Sequence, residues 1–146
     1  MPALTFSLPR STSLPIRREA PTGVTGSVRR TLQAEGLALF VAAVALFVRA
    51  DYSVGLFAAL FLAPDLSLLG YLAGPRAGAM AYNIAHSTVG PIALAIVATV
   101  VLSGALPVAL IWLAHVGFDR ALGYGLKYAS AFGHTHLGNV GHARRG

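Results

Sequence analysis

Four ionisable side chains stand out within the apolar part of this 146-residue chain: Asp65, His86, His115 and Asp119. Two imidazoles and two carboxylates match the nitrogen and oxygen ligands that zinc and manganese accept. His115 and Asp119 are four residues apart, and Asn83 and His86 are three apart, so each pair shares a helix face. An ionised group that faces lipid is costly, so these side chains are expected to face one another. The pattern therefore predicts a divalent metal site, zinc or manganese.

The same residues allow two other interpretations. In the first they form a hydrogen-bonded polar plug, in which His115 bonds to Asp119 and Asp65 caps a kink at Pro64. In the second they move protons or ions, as intramembrane acids and histidines do in transporters. The residue types and their spacing do not choose among the three.

Other polar residues are expected near this group. Glu35 opens the first apolar helix at a matching depth, and Asn83 and Tyr82 are expected to support the ligands by hydrogen bonds. Arg120, near the end of the fourth apolar helix, and Lys127, just after it, are expected near the cytoplasmic mouth of the group. There they could hold a phosphate or lipid headgroup or extend to the interface. No Ser-His-Asp arrangement is found, so the pattern identifies no catalytic residue.

The composition is that of a membrane protein. Hydrophobic residues make up 55% of the chain and charged residues 11%, against about 25% in a typical soluble domain. The absence of cysteine excludes disulfides and thiolate-bound metal. The net charge is +6, and the basic residues flank the apolar runs without aromatic residues interleaved among them. This distribution favours anionic lipid headgroups over nucleic acid as the partner.

Four apolar runs, at about 32–48, 52–72, 78–102 and 105–122, are each close to the ~20 residues that cross a bilayer. Short links make neighbouring helices antiparallel, and ten of the eleven basic residues then fall on the side of the two chain ends. The expected fold is an all-α, up-down bundle of four transmembrane helices in the inner membrane, with both ends in the cytoplasm. Residues 1–30 are predicted to be a disordered basic cytoplasmic tail, 31–128 the transmembrane domain and 129–146 a cytoplasmic C-terminal tail.

Three stretches resemble one bacterial family. APDLSLLGYLAGPRAGAMAYNIAHS, IWLAHVGFDRALGYGLKY and THLG, spread over about 33–138, are similar to the "domain of unknown function 4260" family of small membrane proteins. The resemblance implies a membrane-embedded protein and carries no activity. The family's usual tail resembles F-K-D-T-H-L-G, whereas this chain has F-G-H-T-H-L-G, so no carboxylate precedes Thr135.

A second similarity concerns the order of the four ionisable residues. Pro64-Asp65, His86-Ser87 and His115-x-x-x-Asp119 resemble the P-D, H-S and H-x-x-x-D pattern of the YdjM-like membrane-bound metal-dependent hydrolases. Those proteins are related to zinc-dependent phospholipase C and nuclease phosphoesterases. The resemblance implies that the two acids and two histidines bind metal for hydrolysis at the cytoplasmic face. The alternatives are a small proton-coupled carrier and a non-catalytic membrane scaffold, and a homo-oligomer is compatible with each.

Overall fold

The structure is a computed structural model, and it describes residues 23–141. Within that range the chain is helical, with one isolated antiparallel bridge between Lys127 and Thr135 and no strand. The all-α prediction is confirmed for this part of the chain. In order, the elements are α1 (Gly26–Arg49), α2 (Val54–Leu60), a 3₁₀ helix (Ala63–Ala73), α3 (Pro75–His86), α4 (Val89–Val100), a 3₁₀ turn (Ser103–Ala105) and α5 (Leu106–Leu122).

Four helical stretches are long and apolar enough to cross a membrane: Gly26–Arg49, Val54–Ala73, Pro75–Val100 and Ser103–Leu122. They correspond to the four apolar runs of the sequence. The first begins six residues earlier than expected, so residues 26–30 belong to α1 and not to the predicted tail. The remainder of that tail, residues 1–22, lies outside the described residues.

Two prolines divide the middle stretches. A proline ring clashes with the carbonyl four residues before it, which is Leu60 for Pro64 and Ser87 for Pro91. Accordingly, α2 ends at Leu60, four residues before Pro64. The run predicted as one helix over 78–102 is two helices, because α3 ends at His86 and Ser87 is extended. The second break places His86 at the C-terminal end of α3.

Helix α5 packs closely against α1 through two glycines. A Cβ atom on Gly117 would lie 2.6 Å from the backbone nitrogen of Phe40, and one on Gly36 would lie 2.6 Å from Cβ of Arg120. Small residues permit this backbone approach between helices. On the apolar side of the contact, Phe47 of α1 and Ile111 of α5 are buried in one hydrophobic cluster. This packing fixes the rotation of α5, and with it the direction of its polar side chains.

Residues 124–140, here called the C-terminal segment, fold back on the helical bundle. Gly123 ends α5 in the left-handed conformation, with φ of 91°. The His136 carbonyl then accepts a hydrogen bond from the backbone N–H of Val24, at 2.9 Å, just before α1. Thr135 and Leu137 are each 1% exposed. The part of the predicted cytoplasmic tail within the described residues is therefore packed against the helices.

Candidate metal centre

The two acids and two histidines singled out in the sequence meet at one point. Asp65 lies in the first turn of the 3₁₀ helix and His86 at the end of α3, while His115 and Asp119 occupy successive turns of α5. Each offers one ligand atom, and the four atoms lie within 4.8 Å of one another. The prediction that these residues come together is confirmed, and the group they form could hold a metal ion.

The spacing of the ligand atoms suits a small cation. His86 Nε2 lies 3.2 Å from His115 Nε2, 3.4 Å from Asp65 Oδ1 and 3.6 Å from Asp119 Oδ2. His115 Nε2 lies 3.7 Å from the same Asp65 oxygen and 4.0 Å from the same Asp119 oxygen. Four ligands at 2.0–2.1 Å around a tetrahedral ion are about 3.3–3.4 Å apart. The three distances from His86 Nε2 are within about 0.3 Å of that spacing, whereas the group as a whole, spread over 4.8 Å, would have to contract around the ion.

A backbone carbonyl of its own helix fixes the orientation of the His86 ring. Its Nδ1 lies 3.0 Å from the backbone carbonyl of Tyr82, one turn earlier. A carbonyl can only accept, so Nδ1 carries the proton, and Nε2 of the neutral ring presents its lone pair to the centre. A backbone carbonyl on the other ring nitrogen is the arrangement that metal-bound histidines commonly show.

Tyr82 touches two members of the group. Its hydroxyl donates a hydrogen bond to Asp119 Oδ2 at 3.1 Å, which is the contact that the sequence led us to expect. Its ring stacks on the His86 imidazole, with centroids 3.7 Å apart and planes inclined by 12°. The Tyr82 carbonyl also contacts His86 Nδ1, and the residue is only 4% exposed. Tyr82 therefore orients one imidazole and one carboxylate.

His115 is held by packing rather than by a second hydrogen bond. The residue is 1% exposed, and its ring meets that of Phe61 edge to face at 5.5 Å between centroids. Its Nδ1 is buried without a hydrogen-bond partner in the described part of the chain. The Tyr82 carbonyl therefore fixes a proton on Nδ1 of His86, whereas no such contact selects the protonated nitrogen of His115.

Asn83 supports the centre only indirectly. Its side-chain amide donates to the carbonyl of Lys127 at 2.9 Å, and its Oδ1 accepts from the Lys127 N–H at 2.7 Å. The expected bond from Asn83 to the ligands is thus replaced by a two-point clamp on the C-terminal segment, because the amide matches a backbone edge. The clamp places the Lys127 ammonium 4.7 Å from the centroid of the Tyr82 ring.

Lys127 is buried near the centre, not extended into solvent. It is 7% exposed, and Nζ donates to the carbonyl of Phe132 at 3.0 Å while lying over the Phe132 ring. Burial lowers the pKa of Lys127, and the negative charges of Asp119 and Asp65 partly oppose that shift. A buried ammonium held by a carbonyl is poorly placed to reach a headgroup on its own.

Glu35 and Arg120 lie on a different side of α5. Arg120 follows Asp119 directly, so its side chain points about 100° further round the helix, toward α1. Glu35 is exposed on α1 and lines a small cavity with Arg120 and His136. The structure thus does not bring Glu35 to the four-residue group, because equal depth along a bundle does not fix the direction of a side chain.

One contributor was not foreseen. The indole N–H of Trp112 donates to the carbonyl of Ala85 at 2.5 Å, at the end of α3 where that carbonyl has no partner in the helix. This bond ties the residue before His86 to α5. Trp112 lies three residues before His115, and that spacing is the sequence signal that it shares the face of the centre.

Comparison with known proteins places the chain in a family. A family model described as "Domain of unknown function (DUF4260)" matches residues 29–140, about three quarters of the chain. The comparisons with curated proteins and with solved structures find no match. The similarity to YdjM-like hydrolases is not found by any of them. From the extent of the matched region, which includes every residue of the candidate metal centre, the chain belongs to the DUF4260 family.

Proposed function

We propose that this chain is a multi-pass membrane protein that binds one divalent metal ion through Asp65, His86, His115 and Asp119. The observation that carries the proposal is the convergence of two imidazole nitrogens and two carboxylate oxygens within 4.8 Å. Zinc and manganese both accept this ligand set. The four spans provide the apolar surroundings, with both chain ends on the cytoplasmic side of the inner membrane, where most basic residues then lie.

A count of protons favours a cation in the group. The neutral His86 ring presents a lone pair at Nε2, and ionised Asp65 and Asp119 only accept. With both acids ionised and His86 neutral, the group itself contains one proton, on His115 Nε2, and the Tyr82 hydroxyl donates one more to Asp119. In that state, acceptor atoms that lie within 4.8 Å of one another leave lone pairs facing each other beside two buried imidazoles, which is costly in an apolar interior. A bound cation would turn that cost into four favourable contacts.

The finer proposal is a metal-dependent hydrolase of phosphoester or other lipid-derived substrates at the cytoplasmic face. It is supported by the similarity of Pro64-Asp65, His86-Ser87 and His115-x-x-x-Asp119 to the hydrolase pattern. A divalent ion in the centre would supply Lewis-acid activation of water. The Asp65 side chain, 38% exposed against 16% for Asp119, marks the side from which a substrate would approach.

The choice of metal bears on this finer proposal. Zinc with four protein ligands is a closed structural site, whereas catalytic zinc keeps one position open. One atom from each residue would fill a tetrahedral ion. Hydrolysis is therefore expected only with an ion of higher coordination number, such as manganese, and a tightly bound zinc ion would indicate a structural centre.

Elemental analysis of the full chain, purified without chelators, tests the proposal. The wild type is expected to carry about one zinc or manganese ion per chain, and Asp65→Ala to lose it. Glu35→Ala is the matched control, since it removes an exposed acid of the same bundle that lies outside the group. Wild-type protein without stoichiometric metal would overturn the proposal.

A second candidate uses the same groups without metal. Asp65 is partly exposed, and His86 Nε2 connects it to the buried His115 at 3.4 and 3.2 Å, which is a continuous path for a proton. A proton-coupled carrier, or a non-catalytic scaffold built on this polar plug, would contain no metal. It would tolerate His115→Gln provided that the hydrogen bonds are kept, whereas the metal centre would lose its ion.

A further inference from the structure

A groove of about 800 Å³ runs along the outer side of α3, beside the metal centre but separate from it. None of the four ligands of the metal centre lines this groove. Helix α3 and the residue that follows it contribute the long wall: Arg76, Ala79, Met80, Asn83, Ile84 and Ser87. Their spacing of three and four residues forms one stripe of the helix, about 16 Å long at 1.5 Å per residue.

The far end of the groove lies at the single tryptophan of the chain. Trp112 lines the groove together with Gly90 of α4. A Cβ on Gly90 would lie 2.6 Å from the indole ring, so the ring occupies the space that a side chain would take. Along the wall, Met80 is 64% exposed and Ile84 is 67% exposed. This part of the groove is thus apolar and lies open along the outside of the helices.

The near end of the groove is positively charged. Arg76 is exposed in the first turn of α3, and Lys127 lies about two turns further along, in the wall formed by the C-terminal segment beside Asn83. No acidic residue is among the lining residues. A guanidinium can hold two oxygens of a phosphate at once, and a cation at the membrane surface attracts anionic lipids. The groove therefore combines a site for a negative headgroup with apolar walls of one helix face.

We propose that this groove binds a bilayer phospholipid with an anionic headgroup, its phosphate at Arg76 and one acyl chain along α3 as far as Trp112. The charge at one end and the apolar length beyond it complement such an amphiphile. This proposal does not rest on metal binding, because the groove and the four ligands share no residue. It assigns the exposed Arg76 to the headgroup, with the buried Lys127 contributing only its charge.

Quenching of the single tryptophan tests this proposal directly. The full chain would be placed in phosphatidylcholine vesicles in which a small fraction of the lipid has brominated acyl chains. That brominated lipid is phosphatidylglycerol in one series and phosphatidylcholine in the other. Brominated phosphatidylglycerol is expected to quench Trp112 at a lower fraction than brominated phosphatidylcholine. Arg76→Gln should reduce that preference about fivefold, the effect of one cation at the membrane surface.

Three further variants distinguish the wall that would bind the acyl chain from other surfaces. Ile84→Phe places extra volume in the groove and should weaken quenching by both brominated lipids. The matched controls are Arg49→Gln, at the last residue of α1, and Val100→Phe, at a position that is 78% exposed. Both residues lie outside the groove, so neither variant should change the quenching. Equal quenching of the wild type by the two lipids, or an unchanged preference in Arg76→Gln, would overturn the proposal. So would a change of oligomeric state in Ile84→Phe, since the groove would then be an interface between two copies of the chain.

Discussion

Replacement of Tyr82 by phenylalanine would remove one hydrogen bond from the metal centre and little else. The lost contact is the one from the hydroxyl to Asp119 Oδ2, at 3.1 Å. The phenyl ring can keep the stack on His86, and the backbone carbonyl that orients His86 Nδ1 does not change. The variant therefore isolates the effect of holding Asp119 in one orientation.

The expected loss follows from the charge of the acceptor. A hydrogen bond to a charged group contributes about 1.5–3 kcal/mol. Since about 1.4 kcal/mol corresponds to a tenfold change in affinity, Tyr82→Phe should weaken metal binding about 10- to 100-fold. Removal of the residues that orient metal ligands in other proteins has effects of the same size, about 10- to 100-fold.

Competition for zinc or manganese against a chromophoric chelator would measure this change on the purified full chain. Tyr71→Phe is the matched control, because the Tyr71 hydroxyl is buried without a hydrogen-bond partner in the described part of the chain. Its metal affinity should equal that of the wild type. If Tyr82→Phe bound metal as tightly as the wild type, or if Tyr71→Phe lost as much, the hydroxyl of Tyr82 would have no part in orienting Asp119.

Three further predictions concern the elements that support the centre. Gly117→Ala should destabilise the protein by about 1–3 kcal/mol in thermal unfolding, because the new methyl group would meet the backbone of α1, whereas Gly104→Ala has open space and should be neutral. Asn83→Ala removes both bonds of the clamp and should raise hydrogen exchange in the C-terminal segment, at a cost of about 1–3 kcal/mol; unchanged exchange would refute the clamp. Burial lowers the pKa of His136 below its usual 6.5, and Nδ1 of the neutral ring accepts a hydrogen bond from the backbone N–H of Leu126. The contribution of this bond to stability is therefore complete above pH 6.5 and is lost as the pH falls through the lowered pKa. Exchange in the C-terminal segment, corrected for intrinsic rates, should therefore rise on acidification in the wild type and in His134→Gln alike, and a flat profile would contradict this.

The meeting of the two acids and two histidines could be predicted from sequence because ionisable groups are rare in this apolar background. Asp65, His86 and His115 lie at similar distances from the same ends of antiparallel helices, and lipid penalises any that face outward. Those two constraints, depth and inward direction, are enough to bring them together. The same constraints made Tyr82, one turn before His86, a natural supporting residue.

Depth alone was insufficient for Glu35 and Arg120. Glu35 was expected at the level of the centre and Arg120 near its cytoplasmic mouth. The close contact of Gly36 and Gly117 turns α1 and α5 so that these two residues line a separate cavity. Helix rotation depends on packing between residues some 80 positions apart, which the spacing within one helix does not encode.

The C-terminal segment was missed for a related reason. It contains turns and a single bridge, without an apolar period that would indicate an element. Its position depends on bonds to distant residues, such as those between Asn83 and the backbone of Lys127. The break after His86 was also missed, since the run 78–102 was predicted as one helix. The signal for it was Pro91, whose ring clashes with the helical carbonyl of Ser87 four residues earlier.

X-ray absorption at the edge of the bound metal would report the ligands of the ion itself. Binding by the two acids and two histidines predicts a first shell made only of nitrogen and oxygen, with the multiple-scattering signal of two imidazoles and, for zinc, four ligands at about 2.0–2.2 Å. His86→Ala should reduce the imidazole signal to one ring or release the ion. A metal with fewer than two imidazoles in the wild type, or a spectrum unchanged in His86→Ala, would place the ion elsewhere and rule out a centre formed by these four residues.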